Sequence, residues 1–313
     1  MQEYEVLVIG GGPAGLSAAL YLARYDRHVA LFDAGQGRST WHQVTHNYLG
    51  FPGGIPAREL RRLGYEQLAE YPQVEILRHK VEKLRREGPV FIASGQSDEW
   101  CGRAVILCTG VIDHYPHFEG WDEYVGRSMF WCITCDGYAS KGKRVVVAGN
   151  VNATASVALQ MQRFTPHITL LTNSEDNLID ERFMERLAAA RIPVFRDKIE
   201  QVEGEGGYLR ALHLRGGSRL ELDHLYSHHG STPQTELAEQ VGVALAENGF
   251  IHVDNEQKTT VPGVYAAGDV TRLHAHQIST AVHEGGMAAS AASRRASARP
   301  AASAGGGSRC GRP

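Results

Sequence analysis

The chain is short of several features that would fix its class at a glance. Of its 313 residues only 5 are cysteine and 4 tryptophan. With two of those cysteines in the single stretch Cys132-Ile133-Thr134-Cys135, the set cannot build a disulfide framework, and it fits redox chemistry in a reducing compartment instead. No charge of one sign dominates: 32 Lys and Arg stand against 35 Asp and Glu, a net charge of -3, which gives no electrostatic case for nucleic acid as a partner. No run of about 18 apolar residues occurs, so no membrane span is expected. Neither a second Cys-x-x-Cys nor a metal-spaced His pair is present, so no metal site is expected either. The opening Met1-Gln2-Glu3-Tyr4-Glu5 is acidic and leads straight into a strand pattern, unlike a secretory signal, and a cytoplasmic protein is expected. At 42% hydrophobic and 21% charged residues, the length accommodates two modest soluble domains.

What is present is one pattern written twice. The first copy runs Val6-Leu7-Val8-Ile9-Gly10-Gly11-Gly12-Pro13-Ala14-Gly15, continues at helical spacing from Leu16 to Arg24, and returns as Val29-Ala30-Leu31-Phe32-Asp33. The second runs Val145-Val146-Val147-Ala148-Gly149-Asn150-Val151-Asn152-Ala153-Thr154, continues to Phe164, and returns as Ile168-Thr169-Leu170-Leu171-Thr172. Each reads as strand, tight turn, helix, strand. Further strands are expected over 74–110, at Tyr208 to Leu214 and Arg219 to Leu225, at Gly249 to Val253 and at Val264 to Asp269. A helix follows from Ile278 to about Ser293. The layout implies an α/β protein with two Rossmann-like (three-layer ββα) dinucleotide-binding domains, the second inserted in the first. The outer domain takes 1–112 and 245–293 and the inner one 113–244. The remainder, 294–313, is rich in Ala, Ser, Gly and Arg and reads as a disordered tail; Cys310 lies within it.

Each glycine of the first copy has a task. Gly10 permits the tight turn, Gly12 lets the backbone approach a pyrophosphate, and Gly15 lets the helix sit close to the strand. The helix start at Pro13 and Ala14 then offers free N–H groups to phosphate. Asp33 ends the second strand, where a carboxylate binds a ribose hydroxyl. In Cys132-x-x-Cys135 the sulfurs are close enough to form a small disulfide ring, and a neighbouring dipole or charge can make one of them an attacking thiolate.

Together these motifs resemble low-molecular-weight thioredoxin reductase. The resemblance rests on GGGPAG at the start, Cys-x-x-Cys-Asp-Gly before the second unit, Asn47-Tyr48-Leu49-Gly50-Phe51-Pro52, Gly230-Ser231-Thr232-Pro233, and Gly263-Val264-Tyr265-Ala266-Ala267-Gly268-Asp269 near the end. It implies FAD at the first site, with Gly268 and Asp269 at the ribityl chain and Thr109, Gly110, Asn47, Val81, Gln277 and Ile278 at flavin-contacting positions. It also implies a homodimer and a thioredoxin-like protein or small disulfide or dithiol as partner. Cys135 would face the flavin, Cys132 would exchange with substrate, and Asp136 would relay protons.

The second copy departs from that family. It keeps Gly149 but has Val151 and Thr154 where glycine and alanine are expected, and Asn173 and Ser174 where arginines receive the 2′-phosphate of NADPH. The chain therefore resembles relatives that do not use NADPH: ferredoxin-dependent reductases, diflavin-linked oxidoreductases, in which a second FAD fills the degenerate site, and dithiol oxidases that pass electrons to oxygen. A flavin-bound sensor without turnover is a further alternative. Phe130, Trp131 and Tyr138 are expected to cluster about the redox pair, as a core or as a platform for a flat cofactor. His46 and His276 resemble flavin-side histidines of the oxidases. His228 and His229 read as structural, and His283 and Glu284 as lining a dimer cleft.

Overall fold

The glycine turn of the first copy falls where a strand must reverse into a helix, and the computed structural model places it there. The structure describes residues 1–116, 118–272 and 274–297. Strand Gln2–Ile9 feeds the turn and helix Pro13–Arg24, which returns through strand Val29–Phe32. The helix starts with Gly12 at its N-cap and Pro13 in its first turn, where proline's missing N–H costs nothing. Its Ala- and Leu-rich face is buried, and it lies against the long helix Ile278–Ser297, with the Ser17 hydroxyl donating to the Val282 carbonyl at 2.7 Å.

The chain forms two compact units. The first comprises Met1–Thr40, Arg58–Ile112 and the chain from Pro233 onward. Among the described residues its sheet has seven strands in the order Val74–Leu77, Val29–Phe32, Gln2–Ile9, Glu99–Leu107, Val90–Ser94 and Lys83–Glu87, with Val264–Ala266 also paired to Glu99–Leu107. The strands around the glycine turn are parallel, Val6 standing opposite both Val29 and Ala104, while Lys83–Glu87 and Val90–Ser94 form an antiparallel flap. Strand residues Val6, Leu7 and Val8 are fully buried, as a parallel sheet covered on both faces requires.

The second unit comprises Trp41–Ala57 and Asp113–Thr232. Its parallel sheet runs Met129–Phe130, His224–Ser227, Val145–Ala148, Ile168–Leu171, Val194–Phe195, beside an antiparallel sheet of Ile199–Glu205, Tyr208–Leu214 and Arg219–Glu221. None of the described helices is long and apolar enough to cross a membrane.

The structure differs from the sequence expectations at several places, the first being that Trp41–Ala57, expected in the outer domain, groups with the second unit. The first unit takes up the chain from Pro233 rather than from 245, because Leu237 and Ala238 of helix Glu236–Gln240 enter its core and the Gln240 side chain accepts the Leu84 N–H at 2.7 Å. The expected strand Arg219–Leu225 breaks in two. Asp223 turns to accept the Arg144 N–H at 2.8 Å, which sends Arg219–Glu221 to one sheet and His224–Ser227 to the other. Gly249 to Val253 makes only an isolated bridge between Leu245 and Ile251, two residues being too few for a ladder. The last helix continues to Ser297, so 294–297 is ordered helix; 298–313, with Cys310, lies outside the described residues.

Candidate active site

In the first unit, Gly10 has φ +121°, and a Cβ on it would collide with the Cys108 carbonyl; a Cβ on Gly15 would strike the Gly10 carbonyl oxygen. Gly12 differs, since a Cβ there would meet nothing within 4 Å, so the turn is tight behind and open in front. An open backbone turn at a helix start is the shape a pyrophosphate needs. Pro13 and Ala14 supply the helix start, and Ala14 also closes the floor, its carbonyl against Gly285 and its Cβ 3.0 Å from where a Cβ on Gly268 would stand.

Asp33 sits beside this turn and is only 2% exposed. It accepts from Tyr65 Oη at 2.5 Å, from the Gly35 N–H at 2.9 Å, and from the guanidinium groups of Arg61 and Arg78. Burial alone would raise its pKa, but the Tyr65 bond, the Gly35 N–H and the two guanidiniums together hold the carboxyl below the usual range. Arg61 Nε and Tyr65 Oη also donate to the Gly11 carbonyl, at 3.1 and 3.3 Å, which fixes the acid against the turn. Sequence reading found Asp33 but not Arg61, Tyr65 or Arg78, which arrive from other elements.

The far end of the first unit is built the same way. Gly268 N–H donates to Glu284 at 2.7 Å, and the 1%-exposed Glu284 also pairs with Arg272. Glu284 therefore holds the Gly268-Asp269 turn from within and does not line a cleft; His283 beside it is exposed. Asp269 pairs with Arg38 at 2.8 Å, and His276 Nε2 lies 2.6 Å from the Arg272 carbonyl. Thr109 and Gly110 are clamped by Gln234: Thr109 Oγ1 donates to its carbonyl at 2.6 Å, and its N–H donates to Gly110 at 3.0 Å. Val81 is buried in the same unit, and Gln277 and Ile278 open the last helix, the Ala281 N–H donating to Gln277. Asn47 and His46 fall in the 41–57 segment, which packs with the second unit through Trp41 against Trp121, ring centres 5.2 Å apart.

In the second unit Cys132 and Cys135 form a disulfide, Cα–Cα 5.3 Å, in the short helix Ile133–Asp136. Cys132 is the N-cap, and its sulfur accepts the Cys135 N–H at 3.1 Å. Asp136 ends the turn; burial pushes its carboxyl up to about 7, so near neutrality it can hold or release a proton. The aromatic residues here do not form one cluster. Phe130 is buried, Trp131 Nε1 donates to the His114 carbonyl at 3.3 Å, and Tyr138 is 75% exposed. His229 Nδ1 lies 3.1 Å from Ser227 Oγ, a structural placement.

Two dinucleotide folds, one with an open glycine turn and one carrying a Cys-x-x-Cys disulfide, define a two-domain disulfide oxidoreductase. The comparisons agree. The profile of the pyridine nucleotide-disulphide oxidoreductase family matches residues 4–289, and the chain belongs to that family. It is 32% identical over 276 residues to the thioredoxin reductase tcpT of Claviceps purpurea, covering 85% of this chain and 86% of that one. It is 28% identical over 299 residues to the thioredoxin reductase of Listeria innocua, covering 91% of each. The solved structure of a putative thioredoxin reductase TrxB from Bacillus anthracis superposes with TM-score 0.85 at 26% identity, over 93% of this chain and 97% of that one. The enzyme is thus an FAD-dependent oxidoreductase of thioredoxin reductase type, acting on sulfur groups. The open Gly10–Gly15 turn fits the FAD pyrophosphate, and FAD when bound supplies a two-electron centre to exchange with a dithiol.

Proposed function

We propose that this protein is an FAD-dependent dithiol–disulfide oxidoreductase that works through Cys132 and Cys135 without taking electrons from NADPH. The supporting observation is that the chain itself bonds across the second glycine turn. The Leu178 N–H donates to the Asn150 carbonyl at 2.9 Å, and Val151 bridges to Leu178. Asn152 and Asp180 exchange two hydrogen bonds, at 2.7 and 2.8 Å, across the start of helix Asn152–Met161. In a working site that corner receives a pyrophosphate.

Entry of a phosphate there would displace the Asn152–Asp180 pair and bring the anion against a carboxylate. Two hydrogen bonds at about 0.5–1.5 kcal/mol each already cost on the order of 5–150-fold in affinity, before the repulsion is counted. Asn173, where an arginine is expected, is used internally: its Oδ1 accepts the Ile199 N–H at 3.0 Å and its Nδ2 lies 3.3 Å from His229 Nε2. It offers no guanidinium for a bidentate phosphate contact.

On this reading a thioredoxin-like protein or a small disulfide is the sulfur partner. A ferredoxin or a substrate dithiol takes the place of the nicotinamide donor, and a cytoplasmic homodimer belongs to the same reading. The test is anaerobic addition of millimolar NADPH to the FAD-loaded protein. The flavin absorbance should stay oxidised over minutes while dithiothreitol or dithionite bleaches it. Bleaching by NADPH within seconds overturns the proposal.

A further inference from the structure

Behind the redox turn lies a polar cluster that thiol exchange itself does not use. The Ser140 hydroxyl stands 2.8 Å from His224 Nδ1, 2.9 Å from Tyr226 Oη and 3.5 Å from the Asp136 carbonyl. His224 and Tyr226 lie two apart on strand His224–Ser227, so both point from one face of the sheet. Ser140, His224 and Tyr226 are all buried. Phe130, two residues before Cys132, packs edge-on to His224 at 5.0 Å and against Tyr226 at 5.5 Å. Polar groups are costly in such a place unless each finds a partner, and here they find one another.

The hydroxyl's capacity makes this cluster two-state. A serine has one proton to donate and two lone pairs to accept with. With His224 neutral and its proton on Nε2, Nδ1 takes the Ser140 proton and Tyr226 donates to Ser140, leaving no Ser140 donor for the Asp136 carbonyl. With His224 protonated, Nδ1–H and Tyr226 Oη–H both donate to Ser140, and its own proton turns to the Asp136 carbonyl. From the Nε2–H tautomer, one added proton on His224 therefore decides whether the end of the redox turn is held.

We infer that His224 is a positioning residue for the redox turn, acting through Ser140, so that a proton on His224 tightens the Cys132–Asp136 segment and alters the reactivity of Cys132. The groups facing His224 are Phe130, Ser140, Lys143 and Asp223; burial and Lys143 favour its neutral form and Asp223 opposes them. Asp136 faces the partner Tyr226. The inference rests on the proposed use of Cys132 as the exchanging thiol.

The test needs no electron donor, so its outcome is separate from that of the NADPH experiment. In the full-length FAD-loaded Cys135→Ser protein carrying Asp136→Asn, which keeps the backbone carbonyl but removes the carboxyl that titrates at about 7 in the same turn, iodoacetamide alkylation of Cys132 is followed from pH 4 to 9, with the modified site assigned by mass spectrometry. Besides the thiol titration, a second inflection of about two- to tenfold in rate is expected on the acid side, the size of one redirected hydrogen bond. Adding His224→Asn, which keeps a polar group that cannot titrate, should remove that inflection. Ser140→Ala should remove it too, and Ser140→Thr should restore it. If His224→Asn does not retain FAD, His224→Gln is read in its place. An inflection that survives His224→Asn, or survives Ser140→Ala while lost in His224→Asn, overturns the inference, as does its absence from the Cys135→Ser/Asp136→Asn protein or its failure to return in Ser140→Thr.

Discussion

Removing one sulfur at a time should show that the two halves of the disulfide are unequal, with Cys132 the reactive one. In Cys135→Ser the backbone N–H of residue 135 is retained, and it still faces the Cys132 sulfur at the 3.1 Å of the parent turn. A hydrogen bond to a charged acceptor contributes about 1.5–3 kcal/mol, which enlarges the thiolate population on the order of 10–100-fold. A more acidic thiol is also a weaker nucleophile, with a Brønsted slope of about 0.4–0.5, so roughly half of that gain on a logarithmic scale is cancelled. The net expectation is that Cys132 in Cys135→Ser is alkylated about three- to tenfold faster at neutral pH than Cys135 in Cys132→Ser. Above pH 7 the gap should widen, because Asp136, directly following Cys135, ionises there and opposes a second anion beside it. The assay is anaerobic iodoacetamide labelling with mass-spectrometric assignment. Cys108 should stay silent, since burial pushes its thiol up to about 12. Equal rates, or a faster Cys135, would refute the assignment of Cys132 as the exchanging sulfur.

Other expectations follow from the same geometry. Gly15→Ala places a methyl against the Gly10 carbonyl, so FAD content should fall and the fold should lose about 1–3 kcal/mol, read by flavin absorbance and urea unfolding; an unchanged yellow protein would show that the turn relaxes freely. Asp136→Asn should stabilise the protein at pH 8. The parent carboxyl, raised from 3.8 to about 7, favours the fold fully only below about pH 4, and that advantage is lost as pH rises through 7. The difference at pH 8 should be on the order of 2–4 kcal/mol and should close towards pH 4 in thermal melts; a difference independent of pH would contradict the burial of this acid. Glu284→Gln removes the charge that holds Arg272 while keeping an acceptor for the Gly268 N–H, so flavin should be retained more weakly than in the parent, measured by dialysis. Retention equal to the parent would show that the hydrogen bond alone holds the turn.

Much of the first site was legible because its requirements are local. Gly10, Gly12, Gly15 and Pro13 act within a single turn, and their spacing is dictated by backbone geometry that adjacent residues alone must satisfy. The same holds for Cys132 and Cys135, which one short helical turn brings together. The residues that escaped sequence reading come from far along the chain. Arg38 meets Asp269 across 231 positions, and Ser140 meets His224 across 84. Nothing in the composition near Ser140 marks it, since its partners are set by which strand the sheet places behind the redox turn. The grouping of 41–57 with the second unit was likewise invisible, because it depends on Trp41 finding Trp121.

The sequence by itself determined the α/β class, the two glycine turns, the family and the pairing of Cys132 with Cys135, all of which follow from short-range patterns of strand, turn and helix. It also set the second turn apart from the first, through Val151 and Thr154 in place of glycine and alanine. Only the tertiary structure decided what meets that turn: Leu178 and Asp180, each 28 positions downstream, hydrogen-bond to Asn150 and Asn152. The physical reason is that a helix start has N–H groups and polar side chains to satisfy, and which segment meets them depends on how the next strand and helix return across the sheet.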